Sequence, residues 1–188
     1  IQNKKEDLED AAARAMWALS EVVYRKQVKD MFVLSLPTVS KFRHLRASSF
    51  IIKALVTAAE FLPENREEFI NIIRINADYL VSEFGKHSHK SWYWFDKYLS
   101  YNNAVIPEAL ILAGQITNTK VYIEKGKKAL NFLISKTFSA NRYMPIGHSH
   151  WYQNEGKRSR FDQQPEDPAS MILALATSYK ITKDETHR

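Results

Sequence analysis

Phe69-Ile-Asn-Ile-Ile-Arg-Ile-Asn-Ala-Asp-Tyr-Leu-Val-Ser-Glu-Phe-Gly85 is the stretch that decides the fold. Phe69, Ile72, Ile73, Ala77, Leu80 and Phe84 recur at spacings of three and four, so they share one face of an α-helix. Gly85 then suits the C-cap. The same period continues outward in both directions. Upstream, Leu8, Ala12, Ala15, Leu19 and Val22 form one stripe, with Asp7 placed to cap it and Asp10 in its first turn. A short segment around 28–36 should stop at Pro37, and Phe50, Ala54, Leu55, Ala58 and Leu62 mark a helix ending at Pro63. Downstream, 104–114, 119–136 and 169–179 read as helices, with Pro107 tolerable only in a first turn. About seven helices and no β domain follow from this pattern, which makes the chain all-α.

The sequence has 188 residues, no cysteine, five glycines and six prolines. That length supports a single helical domain with its own core, 1–188, without a disulfide or metal staple. Thiolate catalysis and Cys-based zinc sites are excluded. So few glycines leave no phosphate-cradling motif, and no Gly-x-Ser-x-Gly elbow occurs. No apolar run is long enough to span a membrane. No signal-peptide pattern follows Ile1, so the expected location is cytoplasmic and the chain reads as a piece of something longer. Twenty-seven basic residues against 21 acidic ones give a net charge of +6. The positive residues are dispersed, with short clusters only at 86–90 and 157–160, so a solvated basic surface is expected rather than a nucleic-acid site. His-Ser-His occurs at His87–His89 and again at His148–His150, each followed by Trp-Tyr, but no third-ligand spacing accompanies it, so no metal is expected. Nor does any motif call for a cofactor.

The unusual residues lie in two loops, 87–98 and 139–168. These offer Trp94, Trp151 and Tyr152 beside Asp96, Asn102, Asn103, Arg160, Asp162, Gln163 and Gln164. Glycoside cleavage needs one carboxyl group to protonate the leaving oxygen and another to activate water or attack. Sugar sites add aromatic platforms for the apolar face of the ring, with amides and guanidiniums for the hydroxyls. Capping accounts for a single polar residue before a helix; it does not account for the run Asp162-Gln-Gln-Pro165, which therefore points to a cavity.

Glu9-Asp10…Arg14-Ala-Met-Trp-Ala-Leu19, Trp94-Phe-Asp…Leu99-Ser-Tyr-Asn-Asn-Ala104…Pro107-Glu-Ala-Leu110, Pro145-Ile-Gly147 and Arg160-Phe-Asp-Gln-Gln-Pro165 occur in this order. Together they resemble a bacterial family of (α/α)-toroid, six-hairpin-like domains often found after a glycosyltransferase domain. The resemblance implies a helical-hairpin barrel whose inner helices line a cavity, with a carbohydrate site at one mouth. It places Asp10, Arg14, Asp96, Asn103 and Asp162 at that mouth. On this likeness the chain is carbohydrate-active, glycosidase-like or serving a glycosyltransferase. Asp162 is then the expected general acid or base, with Asp96 or Asp10 as its partner. Trp94, Trp151 and Tyr152 become platforms, and Arg14, Asn102, Asn103, Arg160, Gln163 and Gln164 ligands of the sugar. Seven helices cannot close a ring of six hairpins. The chain is therefore expected to be part of a toroid, with its edges covered by further helices of the same polypeptide or by a second chain. Departures from the family pattern also occur. Asn102 stands where the family has an aspartate, Val105 where it has an arginine, and Ala11-Ala-Ala13 where it has Ser-x-Gly. These favour an alternative, a non-catalytic sugar-binding or protein-docking module of the same fold.

Overall fold

The computed structural model describes residues 8–140 and 142–188. Asp7, the expected cap, lies outside them. Seven helices follow in order: α1 (Glu9–Ser20), α2 (Lys26–Val39), α3 (Leu45–Phe61), α4 (Arg66–His87), α5 (Val105–Thr117), α6 (Lys120–Thr137) and α7 (Glu166–Thr182). Single 3-10 turns at Pro63–Asn65 and Glu185–His187 complete the helical content.

Two layers arise from how far each helix is covered. Every residue from Arg46 to Leu55 of α3 is buried, and so is every residue from Val105 to Ile111 of α5. A helix buried on all sides must lie inside. In contrast, α4 and α6 bury one stripe each, and Phe69, Ile72, Ile73, Ala77, Leu80 and Phe84 are all in the core. The packing order matches: α1 rests on α3, α3 on α5 and α5 on α7, while α2, α4 and α6 back α1, α3 and α5 in turn. Three helical hairpins plus α7 thus form an arc, with α1, α3, α5 and α7 as its inner layer. The first turns of the inner four gather at one end, where Arg14 of α1 bonds Glu166 of α7 and Arg46 of α3 bonds Tyr101 O just ahead of α5.

Several expectations about individual elements are corrected. The buried stripe of α1 is Ala13, Met16 and Ser20, continued by Val23, one position on from the expected one; Leu8 is 46% exposed. An inner helix packs closely through small side chains, so its longest apolar residues need not mark its buried face. Pro37 does not stop α2, which runs on to Val39. In a last, exposed turn a proline removes a single ladder bond, and Ser40 N–H still reaches the Leu36 carbonyl at 3.0 Å. Gly85 is no cap either, since α4 continues to His87 and closes at Ser88.

The two long loops are pinned to each other. β1 (Tyr98–Leu99) pairs antiparallel with β4 (Tyr152–Gln153), joining the α4–α5 loop to the α6–α7 loop. β2 (Phe138–Ser139) and β3 (Arg142–Tyr143) form a small hairpin after α6. Gly147 seals the second loop: a Cβ there would sit 1.9 Å from the Phe161 carbonyl oxygen, and its N–H donates to Ser159 O at 3.0 Å. Both loops lead into inner helices, so they lie at the mouth of the arc.

Candidate functional site

The inner helices enclose a cavity of about 150 Å³ lined by Arg14 and Trp17 from α1, Phe50 and Lys53 from α3, Asn102 and Val105 at the start of α5, and Glu166 and Ser170 from α7. That is room for about five waters, so it takes part of one sugar ring, and a longer ligand must rest on the rim. At its outer edge Arg14 bridges two acids. Its Nε donates to Asp10 Oδ2 at 2.9 Å, and a terminal nitrogen donates to Glu166 Oε2 at 3.3 Å. Burial works against the Arg14 charge, but the two carboxylates outweigh it and the net shift is upward. The bridge joins the first inner helix to the fourth.

Two acceptors near this bridge are unsatisfied. Asp10 Oδ1 and Asn102 Oδ1 are both buried, and neither has a hydrogen-bond partner. A buried acceptor without a donor costs about 1–3 kcal/mol, so both are suited to a donor brought from outside. Asn102 also sits at φ 46°, in the left-handed region. Trp151 (φ 55°) and Asp162 (φ 60°) share that conformation. Asn and Asp tolerate it; a tryptophan does so only where its surroundings hold it. Here the Trp151 ring stacks on Tyr98 with centroids 4.9 Å apart.

Deeper in the cavity wall, Lys53 Nζ bonds Glu108 Oε2 at 2.6 Å and lies 4.4 Å from the centroid of the Trp17 ring. Thr177 of α7 donates to the other Glu108 oxygen at 3.2 Å. Closer to the mouth, Arg46 is 7% exposed. Its Nε donates to Tyr101 O at 2.9 Å, another of its nitrogens bonds Ser100 Oγ, and its guanidinium covers the Tyr101 ring at 4.0 Å. No carboxylate among the described residues pairs with it, and burial pulls its pKa down. His148 Nε2 approaches Asp167 Oδ2 at 3.4 Å, with its ring 5.6 Å from that of Tyr101. Burial pushes the Asp167 carboxyl up against the opposing pull of His148 and the Asn102 backbone N–H.

The residues expected from the sequence divide into three groups. Arg14 and Asn102 line the cavity, and Asp10 is tied to its edge through Arg14. Asp162, Arg160, Gln163 and Gln164 lie exposed on the rim before α7. This rim is held by backbone: His148 N–H donates to Asp162 O at 3.0 Å, and Gln163 Nε2 to Arg160 O at 3.2 Å. Trp151 and Tyr152 lie where the two loops pair, near Asp96, whose Oδ1 accepts from Lys97 N–H at 2.6 Å. Burial raises the Tyr98 pKa, and Asp96 adds to the shift.

Two expectations need correcting. Trp94 is 1% exposed and packs edge-on to Phe95, so it has no face to offer a ligand. Asn103, 3% exposed, clamps its own loop: Oδ1 accepts from Ser100 N–H at 3.0 Å and Nδ2 donates to Ser100 O at 3.1 Å. Arg46, Lys53 and Tyr98 were not foreseen. The signal for Lys53 was a charge inside the apolar run Phe50–Leu55. Arg46 gives one too, as a cation in a first helical turn, where the dipole disfavours it.

The structure is similar to a solved unsaturated glucuronyl hydrolase specific for heparin, with a TM-score of 0.66 and 14% sequence identity, over 95% of this chain and 53% of that one. The arc is therefore an α/α-toroid fold, and the chain spans about half the length of the neighbour it matches. No protein-family model matches the sequence, and no curated protein matches it. Among the described residues no three His, Asp or Glu side chains gather as metal ligands, and no helix is long and apolar enough to cross a membrane.

Proposed function

We propose that the concave mouth of this partial toroid binds a carbohydrate and belongs to a glycoside-processing protein, whose further helices come from the same polypeptide or a second chain. The observation that carries the reading is the pair of orphaned acceptors, Asp10 Oδ1 and Asn102 Oδ1, beside Arg14 at the cavity. A sugar ring brings hydroxyl donors for both oxygens and acceptors for the guanidinium. Trp151 on Tyr98 offers a stacked aromatic ledge at the rim. The likeness to a hydrolase of glucuronyl groups agrees with this reading.

For a hydrolytic step, Asp10 is the carboxylate at the cavity's outer edge. Its bond to Arg14 orients one oxygen and leaves Oδ1 open to act as a base or nucleophile. Asp162 is the partner acid at the rim, its carboxylate in no ion pair among the described residues, and Asp96 serves the loop seam behind it. A second reading is favoured by one feature of the cavity. Asp10 and Glu166 are both tied to Arg14, and Asn102 is an amide where the resembled family has a carboxylate. On that reading the chain binds sugar without turning it over.

Calorimetry and a hydrolysis assay on one panel of neutral and uronic-acid oligosaccharides separate the two. Binding that weakens about tenfold or more in Asp10→Asn supports the site. Turnover that disappears in Asp162→Asn supports catalysis, whereas binding without turnover leaves the second reading. No binding by any saccharide overturns both.

A further inference from the structure

Outside the mouth lies a cavity of about 640 Å³, within the range of small-molecule sites. Its walls are Lys86 and His87 at the end of α4, His89, Trp92 and Lys97 from the following loop, Tyr98 of β1, and Gln153 and Asn154 of the paired loop. Every ionisable wall residue apart from Tyr98 is a cation or a histidine. Glu83 lies behind it and accounts for Lys86 at 2.6 Å and His87 at 3.6 Å. Lys97 has no ion-pair partner among the described residues. His89 Nε2 takes a hydrogen bond from the Asn154 amide at 2.7 Å, which leaves Nδ1–H as the free donor.

Backbone bonds tie the walls of the cavity together. The turn bearing His89 is closed by reciprocal backbone bonds with Trp92, at 2.9 and 3.0 Å. Asn154 N–H donates to Lys97 O at 2.9 Å, and Gln153 is paired with Tyr98. Tyr98 is also the wall shared with the mouth, since its ring carries Trp151 and Asp96 lies against its hydroxyl.

We infer that this cavity binds an anionic substituent, a carboxylate or sulfate, on a sugar unit adjacent to the one held at the mouth. The inference rests on the carbohydrate reading for the neighbouring unit and adds the ligand class: an acidic oligosaccharide crossing the Tyr98–Trp151 ledge. Lys97 and His89 Nδ1–H supply the charge-assisted donors, and Gln153 supplies an amide.

The test uses the full chain with three probes: a sulfated uronic-acid disaccharide, its neutral counterpart and sodium sulfate. The charged disaccharide should bind more tightly, with a preference that declines as salt rises. Lys97→Glu, a change at an exposed side chain, should weaken the charged probe about tenfold and leave the neutral one unchanged. Asp10→Asn should weaken both. Equal affinities for the two disaccharides, or a preference that survives Lys97→Glu, overturns the inference while leaving the mouth intact. Where neither disaccharide binds, the carbohydrate reading fails and sulfate decides the rest. Shifts of the His89 ring signals that vanish in Lys97→Glu support the anion site; no shifts overturn it.

Discussion

Asn102 combines a left-handed backbone, full burial and an unpaired carbonyl oxygen. These properties can be separated by substitution. Glycine adopts φ 46° freely and has no side-chain acceptor, so Asn102→Gly should keep stability within about 1 kcal/mol of the parent. Its sugar affinity, measured by calorimetry, should nevertheless fall severalfold. Unchanged affinity would remove Asn102 from the site. The sequence already marked this position, because an amide replaces the expected carboxylate there. What it did not reveal was which polar residues would turn inward. Asn102 and Asn103 are neighbours of the same type, yet one faces the cavity and the other closes its own loop. Backbone dihedrals decide that difference, and side-chain type does not report them. Trp94 shows the same limit from the apolar side: an indole serves a sugar or a core equally well, and here it packs with Phe95 and Phe132.

Helices were legible wherever one face met the core and the other met water, as in α4. Legibility fell on α3 and α5, where burial all round erases the period, and at helix ends, where Pro37 and Gly85 misled. The glycines now distinguish two kinds of position. Gly85 is exposed within α4, and a Cβ there meets nothing within 4 Å. Gly85→Ala should therefore stabilise the protein by roughly 0.5–1 kcal/mol. Gly126 lies where α6 crosses α5, with a would-be Cβ 2.8 Å from Ile111 Cγ1 and 2.9 Å from Pro107 O. Gly126→Ala should cost about 1–3 kcal/mol; urea unfolding of the two variants measures the contrast. The last turn adds a pH dependence. His187 is buried between Ser178 of α7, at 2.8 Å, and Asn131 of α6, at 2.7 Å. Burial lowers its pKa below 6.5, against the pull of Asp184. The unfolded chain then binds the extra proton first, so this contribution is complete above pH 6.5 and is lost as pH falls through the lowered folded value. Melting temperatures of wild type and His187→Gln, compared above and below that pH, should show a smaller acid loss in the variant.

One polar network ties the whole arc together. Lys53 of α3, Glu108 of α5, Thr177 of α7 and the Trp17 ring of α1 meet in the cavity wall, so every inner helix contributes one group. The side chains of Lys53 and Glu108 are only 6% and 5% exposed. A pair so buried gains little over a well-packed apolar one, because desolvation offsets most of the Coulomb attraction. Its value to the molecule is in direction: a mutual partner on a neighbouring helix fixes the register of α3 against α5 in a way that Leu55 or Ile111 cannot. That register in turn sets Arg46 against Tyr101 and keeps Asn102 in the cavity lining. Removing one partner should expose the asymmetry. Glu108→Gln takes the countercharge away from buried Lys53, and should cost about 3–5 kcal/mol in urea unfolding. Lys53→Met with Glu108→Leu removes both charges and should recover most of that loss. Stability and site geometry then part company, since the double variant is expected to fold well and still lose sugar affinity through a loosened inner layer. Retention of full affinity would show that packing alone holds the mouth.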